Sequence, residues 1–159
     1  MSEQQLADYA SRLGSDCAFF IYNRPMIGEG RGEMLTEYPL DGCLDIARHD
    51  SEVARHDTKG GPCHQGEARY EIQVITPAGI SVSTAEAYGG IMPRVPEVSL
   101  REALARPIEE WDGVLVNDFE TTVFARHPEL AAIKRSLYDS GAVYASMSGS
   151  GSALFAIYR

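Results

Sequence analysis

Ser146-Met147-Ser148-Gly149-Ser150-Gly151-Ser152 lies between two apolar runs, Ala142-Val143-Tyr144-Ala145 and Ala153-Leu154-Phe155-Ala156-Ile157-Tyr158. Short apolar runs separated by glycine and serine predict two strands joined by a hairpin connection. Gly149 and Gly151 permit positive φ and let another backbone, or a phosphate, approach without a Cβ in the way. The serines add hydroxyl donors, and consecutive exposed amides in such a loop form an anion-binding nest. The same letters also describe a ligand-free glycine turn, and taken alone the segment favours the turn, because short glycine patterns recur by chance.

Working back from the hairpin, Leu130, Ile133, Leu137 and Tyr138 recur on one helical face that Pro128 opens and Gly141 closes. Asn117-Asp118-Phe119-Glu120 reads as another helix start, with Asn117 as N-cap and Glu120 at the third helical position. An amphipathic helix is expected over Pro107–Val116 around Trp111, and Ser99-x-x-Glu102 caps one more. Pro93 and Pro96 break the chain before it. Ser83-Thr84-Ala85-Glu86 opens a short helix through about Ile91 with a second capping box. Tyr70-Glu71-Ile72-Gln73-Val74-Ile75-Thr76 alternates as a half-buried strand does, and Pro77-Ala78-Gly79 makes a turn. Strand, helices, strand, strand is the order of an α+β fold, with helices packed on one antiparallel sheet.

Toward the N-terminus, Ser2-x-x-Gln5 has capping-box spacing and Leu6, Tyr9, Ala10 and Leu13 share a helical face that Gly14 is placed to end. Cys17-Ala18-Phe19-Phe20-Ile21-Tyr22 reads as a buried strand, which puts Asp16 in a tight loop. In that place an aspartate is more often a turn or cap residue than a catalyst. Gly28-Glu29-Gly30-Arg31-Gly32-Glu33 predicts a turn between strands near Pro25–Ile27 and Glu33–Leu40. It is no phosphate cradle, since no helix pattern follows it.

Residues 43–69 are different in character. They are polar, contain Gly60-Gly61-Pro62, and carry Ala47-Arg48-His49-Asp50 and Ala54-Arg55-His56-Asp57 seven residues apart. Cys43, His49, His56, Cys63 and His64 also fall here, yet their spacing matches no standard zinc pattern and there is no CxxC. A mobile surface insertion without metal is the expectation.

A length of 159 residues sets the scale of one domain, or a small domain with part of another, and a 44% hydrophobic content suffices for a core. A formal charge of −9 argues against nucleic acid as the main partner, since phosphate backbones need a basic face. No run of about 18 apolar residues predicts a membrane span. The first residues lack a signal-peptide pattern, and Cys17, Cys43 and Cys63 cannot all pair within the chain. A cytoplasmic, reducing compartment is the expectation.

Three segments taken together carry more than any one of them. Leu13-Gly14-Ser15-Asp16-Cys17-Ala18-Phe19-Phe20, Ser83-Thr84-Ala85-Glu86-Ala87-Tyr88 and Met147-Ser148-Gly149-Ser150-Gly151-Ser152-Ala153-Leu154-Phe155 occur in this order. The chain resembles the C-terminal part of a GHMP-family small-molecule kinase, of the branch serving the non-mevalonate isoprenoid pathway. Gly30-Arg31-Gly32-Glu33 and Asn117-Asp118-Phe119-Glu120 match what that branch carries in between. The resemblance implies a GHMP C-terminal domain over 70–159 (helices on an antiparallel sheet, ferredoxin-like), a remnant of the N-terminal kinase domain over 1–42, and the polar insertion over 43–69 between them. It also implies transfer of the ATP γ-phosphate to a substrate hydroxyl with Mg2+. Asp16 then corresponds to the catalytic aspartate at the hydroxyl, and Thr84 and Tyr88 fall where the family contacts a cytidyl substrate, Tyr88 stacking on the base. The residue pattern by itself also allows Tyr88 a core position of a short helix. Ser148, Gly149, Ser150 and Gly151 match the glycine motif that supports the ATP site.

Departures from the family pattern bear on activity. No serine-rich glycine loop opens a helix anywhere in the chain, and the only lysines, Lys59 and Lys134, match neither family motif. Ala18 stands where the family commonly has proline. The expectation is a fragment that is inactive alone. The alternatives are a non-catalytic binding or dimerisation module that keeps the GHMP C-terminal fold, or a piece of another GHMP kinase, such as one acting on homoserine or mevalonate. A homodimer is compatible with either.

Overall fold

The computed structural model describes residues 1–14, 16–30, 32, 34–38, 43–47 and 69–159. It divides into two compact units, Met1–Gly42 and Cys43–Arg159.

In the first unit, α1 spans Glu3–Ala10 and starts at the expected capping box: Ser2 Oγ accepts from Gln5 N–H, and the Gln5 side chain accepts from Ser2 N–H at 2.9 Å. The helix closes at Ser11, earlier than the Gly14 boundary that the apolar spacing suggested. The larger correction concerns Cys17–Tyr22, which is a helix, α2, and not a strand. Six consecutive apolar residues carry neither a period of two nor of 3.6, so the pattern cannot choose between the two. The neighbours choose: Gly14 carbonyl accepts from Cys17 N–H at 3.2 Å, and Asn23 closes the helix at φ 46°, a left-handed cap that asparagine tolerates. Only Ala18 of this run is buried, and Phe20 is 74% exposed. Met26–Glu29 (β1) and Met34–Glu37 (β2) form the expected antiparallel hairpin.

The second unit holds a four-stranded sheet of order β3-β4-β6-β5, with β3 Cys43–Ala47, β4 Arg69–Ile75, β5 Tyr144–Met147 and β6 Leu154–Tyr158. β4, β6 and β5 are antiparallel neighbours, while β3 runs parallel to β4. The sheet is therefore mixed. One edge strand, β3, comes from residues read as polar insertion, and residues 48–68 of that insertion lie outside the described residues. The α+β class holds, since the described α-helices of this unit lie between β4 and β5: α3 Thr84–Gly89, α4 Leu100–Leu104, α5 Phe119–Arg126 and α6 Pro128–Asp139. Among the described residues no helix is long and apolar enough to cross a membrane.

Alternation along β5 and β6 serves two cores. Ala145, Met147, Leu154 and Ala156 face Ala87, Val123, Leu130 and Leu137 of α3, α5 and α6. Leu130, Met147, Leu154 and Val123 are fully buried there, each contributing about 1.5–3 kcal/mol of transfer free energy. Tyr144 and Ile157 point the other way and pack with Trp111. Trp111 belongs to no long helix: only Ile108–Glu110 makes a 3-10 turn, and Gly113 at φ 74° leads the chain away. The expected helix over Pro107–Val116 is thus absent, yet its aromatic anchor is buried as the pattern implied, with Trp111 Nε1 donating to Arg106 carbonyl at 3.0 Å.

β5 is an edge strand, and side chains satisfy its outer edge. Tyr138 Oη accepts from Ala145 N–H at 3.1 Å, and Glu120 Oε1 accepts from Met147 N–H at 2.7 Å. A sheet edge closed in this way offers no template for pairing with another chain. Burial, with the neighbouring Asp112 carboxylate, pushes the Tyr138 hydroxyl up to about 12.

Candidate functional site

The glycine loop leaves β5 at Met147 and returns at Leu154. Ser148 N–H donates to Ala153 carbonyl at 2.8 Å, and Gly151 N–H to Ser148 carbonyl at 3.0 Å, which closes the turn. Gly149 at φ 54° and Gly151 at φ 88° hold conformations that L side chains rarely adopt. The two glycines differ in their surroundings. A Cβ on Gly149 meets nothing within 4 Å, whereas a Cβ on Gly151 sits 2.8 Å from Met147 Sδ. The loop is packed at Gly151 and open at Gly149. Among the described residues, no protein acceptor takes the N–H of Gly149, Ser150 or Ser152.

Three elements hold this loop. Ser152 Oγ donates to Ile80 carbonyl at 2.7 Å, tying the loop to the segment that leads into α3. Asn117 Nδ2 donates to both Met147 and Gly149 carbonyls at 2.8 Å. Glu120, on the first turn of α5, accepts from Met147 N–H and from Ser146 Oγ and is paired with Lys134 Nζ at 2.6 Å. The capping role expected of Asn117 is present in altered form, since Asp118 occupies the cap position and Asn117 Oδ1 accepts from Phe119 N–H at 3.0 Å. Glu120 makes no capping-box return. It serves the strand instead.

Thr84 and Tyr88 lie on α3, which Ser83 caps by accepting from Glu86 N–H at 3.1 Å. Glu86 does not reach back to the cap as the box requires. It pairs with His127 at 3.2 Å and Arg126 at 3.5 Å, fixing α3 to the junction of α5 and α6. Gly90, just beyond the helix, has Thr122 where its Cβ would be, so α3 and α5 meet closely. Tyr88 is 64% exposed and touches Phe119 edge-on, with ring centroids 4.9 Å apart. A core role for Tyr88 is excluded by that exposure. Phe119 is held by Asn117, and Asn117 holds the loop, so Tyr88 and the glycine loop belong to one connected set of contacts. Asp16 belongs to the first unit, where it is exposed at the N-cap of α2 and its carbonyl accepts from Phe19 N–H. Among the described residues no group of three or more His, Cys, Asp or Glu is arranged to hold a metal ion.

Residues 100–159 match the family of GHMP kinases C terminal. Over that stretch the chain is similar to a GHMP kinase C-terminal domain. Over its full length it is 43% identical to the 4-diphosphocytidyl-2-C-methyl-D-erythritol kinase of Bacteroides thetaiotaomicron, and over 99% of its length 37% identical to that of Bacteroides fragilis. The chain spans about half the length of these curated relatives, 48% of each. A crystal structure of 4-(cytidine 5'-diphospho)-2C-methyl-D-erythritol kinase superimposes with a TM-score of 0.64, covering 95% of this chain and 47% of that one at 23% identity, which shows a shared fold. Within residues 100–159, Ser148–Gly151 forms the hairpin loop, Asn117 and Glu120 support it, and Lys134 pairs with Glu120. Read from local spacing, Asn117 and Glu120 mark only a helix start, because the loop carbonyls and amide they hold lie about thirty residues away.

Proposed function

We propose that this chain supplies the substrate-side half of an ATP-dependent phosphotransferase acting on 4-diphosphocytidyl-2-C-methyl-D-erythritol, and that it is inactive alone. The observation that carries the reading is the 43% identity to the Bacteroides thetaiotaomicron kinase along the whole chain, together with coverage of only 48% of that kinase. In this reading Asp16 accepts or orients the proton of the substrate hydroxyl, and Thr84 and Tyr88 bind the cytidyl part. A flat neutral base suits the exposed ring of Tyr88, whose other contact is already made by Phe119. The glycine loop fits an anionic oxygen, since Gly149 opens onto free space and the neighbouring N–H groups have no protein acceptor. Ser148, Gly149, Ser150 and Gly151 are accordingly assigned to the ATP side, where bound ATP supplies the phosphoryl group. No Mg2+ ligand is assigned among the described residues.

Phosphoryl transfer depends mainly on positioning and charge stabilisation. The chain offers a carboxylate and a donor loop but no serine-rich glycine loop and no matching lysine, which is the basis for expecting no activity from it alone. The test is a coupled assay of ADP production with this substrate and Mg2+, on the purified chain and on the chain mixed with the remaining half of a relative. Silence alone and activity on mixing support the proposal. Turnover by the chain alone overturns it.

A second reading is a non-catalytic module that dimerises through its first unit. Leu13 at 86%, Phe20 at 74% and Tyr9 at 58% exposure favour it, because so few apolar residues of that unit are buried. Sedimentation equilibrium separates the two: a dimer that the added half does not dissociate supports the module.

A further inference from the structure

We infer that Asn117 is a positioning residue for the glycine loop, setting the face that the loop presents to an anion. The inference rests on the phosphate-side assignment of that loop and names what holds it in shape. Asn117 makes one bond that serves α5 and two that do not. Its Oδ1 accepts from Phe119 N–H at 3.0 Å, which suffices to cap the helix. Its Nδ2 then donates to Met147 and Gly149 carbonyls, each at 2.8 Å and thirty or more residues away. The amide orientation is settled by chemistry: Phe119 N–H requires an oxygen opposite it, and two carbonyls require a nitrogen.

The Gly149 contact has a consequence for the neighbouring peptide. In a trans peptide the C=O and N–H point in opposite directions. Drawing the Gly149 carbonyl toward Asn117 therefore turns the Ser150 N–H away from it. Among the described residues no protein acceptor takes that N–H, and a Cβ at Gly149 would meet nothing within 4 Å, so the loop beside the donor is uncrowded. At the strand end, Glu120 fixes Met147 N–H at 2.7 Å and Lys134 balances its charge. Glu120 and Asn117 thus hold the N–H and the C=O of the residue from which the loop springs. Phe119 lies between them in sequence and meets Tyr88, so the same bracket sets the loop relative to the base-facing ring.

The experiment uses the chain itself, with 15N relaxation and inorganic pyrophosphate as the probe. Asn117→Ser is neutral, keeps an acceptor for Phe119 N–H and loses both donors. Asn117→Asp, which keeps Oδ1 in place, is the second variant should the first fail to fold. The expected result is loss of order at Ser148–Ser152, from order parameters of about 0.85 to below about 0.6, with the α5 amides unchanged. Pyrophosphate shifts of Gly149 and Ser150 amides should weaken roughly tenfold or more in the same variant. A loop as ordered in both variants as in the parent overturns the inference. So does a loosened loop that binds pyrophosphate as before, since Asn117 is then structural only. A parent chain that takes no pyrophosphate counts against the phosphotransferase reading of the loop. The order parameters alone then decide the role of Asn117.

Discussion

Replacing Gly151 by alanine tests whether the glycine loop is held by packing or only by its turn geometry. The residue sits at φ 88°, and its Cβ would lie 2.8 Å from Met147 Sδ and 3.6 Å from Val82 Cγ2. Adopting positive φ costs an L-residue roughly 1–2 kcal/mol. Met147 is 2% exposed and packed in the main core, so the sulfur cannot swing into solvent, and overpacking of this kind adds roughly 1–3 kcal/mol. Gly151→Ala should therefore cost about 2–5 kcal/mol. Gly149→Ala is the internal control, because at φ 54° with nothing within 4 Å it meets the conformational cost alone, about 1–2 kcal/mol. Trp111 is the only tryptophan of the chain and is buried in the second unit, so its fluorescence during urea unfolding reports this unit. The contact can be isolated with Met147→Ala, which is itself costly by about 2–5 kcal/mol but removes the sulfur. In the double variant the Gly151→Ala penalty should shrink to that of Gly149→Ala, a coupling of about 1–3 kcal/mol. Equal losses for the two glycine variants, or strict additivity with Met147→Ala, would refute the packing account of this loop.

Three further outcomes are expected. Tyr138 is held above its ordinary value of 10.0, at about 12, so the folded state binds its proton more tightly; its contribution is complete below pH about 10 and is lost as pH rises toward about 12. Tyr138→Phe should weaken that alkaline loss in a pH series of melting curves, though burial also raises Tyr144, and should cost about 1–2 kcal/mol near neutrality by orphaning Ala145 N–H. In a kinase completed by its other half, Asp16→Asn should lower kcat by roughly two to four orders of magnitude with KM little changed, while the melting curve moves by about 1 kcal/mol or less; a near-normal kcat removes Asp16 from the active site. In the same enzyme Tyr88→Ala should raise KM for the cytidyl substrate far more than it lowers kcat and barely alter stability, since the ring is 64% exposed, whereas an unchanged KM would contradict the stacking role.

The hairpin and the helix that precedes it were legible because each rests on a local rule. The short apolar run Leu154–Tyr158 beside its glycine–serine turn and the Pro128 start of α6 depend on neighbours a few residues apart, and both appear where the letters place them. The Ser99 capping box likewise forms both of its bonds. Cys17–Tyr22 defeated the same method, since an unbroken apolar run of six has no period, and its fate was set by Gly14 and Asn23 at its ends. Trp111 was read correctly as an anchor and wrongly as part of a helix, because burial of an indole requires only a turn that brings it to the sheet.

The support of the loop was hidden for a different reason. Asn117-x-x-Glu120 fits a capping box, and a reader of sequence who finds a local use for both residues has no cause to look further. The structure makes the local use partial. Asn117 makes three side-chain hydrogen bonds and spends one on α5; Glu120 spends none on the cap and both oxygens elsewhere. Side chains with more donors and acceptors than a local motif consumes are the ones free to bind a distant strand. Ser83-x-x-Glu86 behaves in the same way, its serine capping α3 and its glutamate reaching His127 and Arg126. Ser99-x-x-Glu102, exposed, closes both capping bonds. In this unit the boxes left half-made are those beside the glycine loop and the Tyr88 helix. An incomplete box therefore marks where the helix end was given over to holding the site.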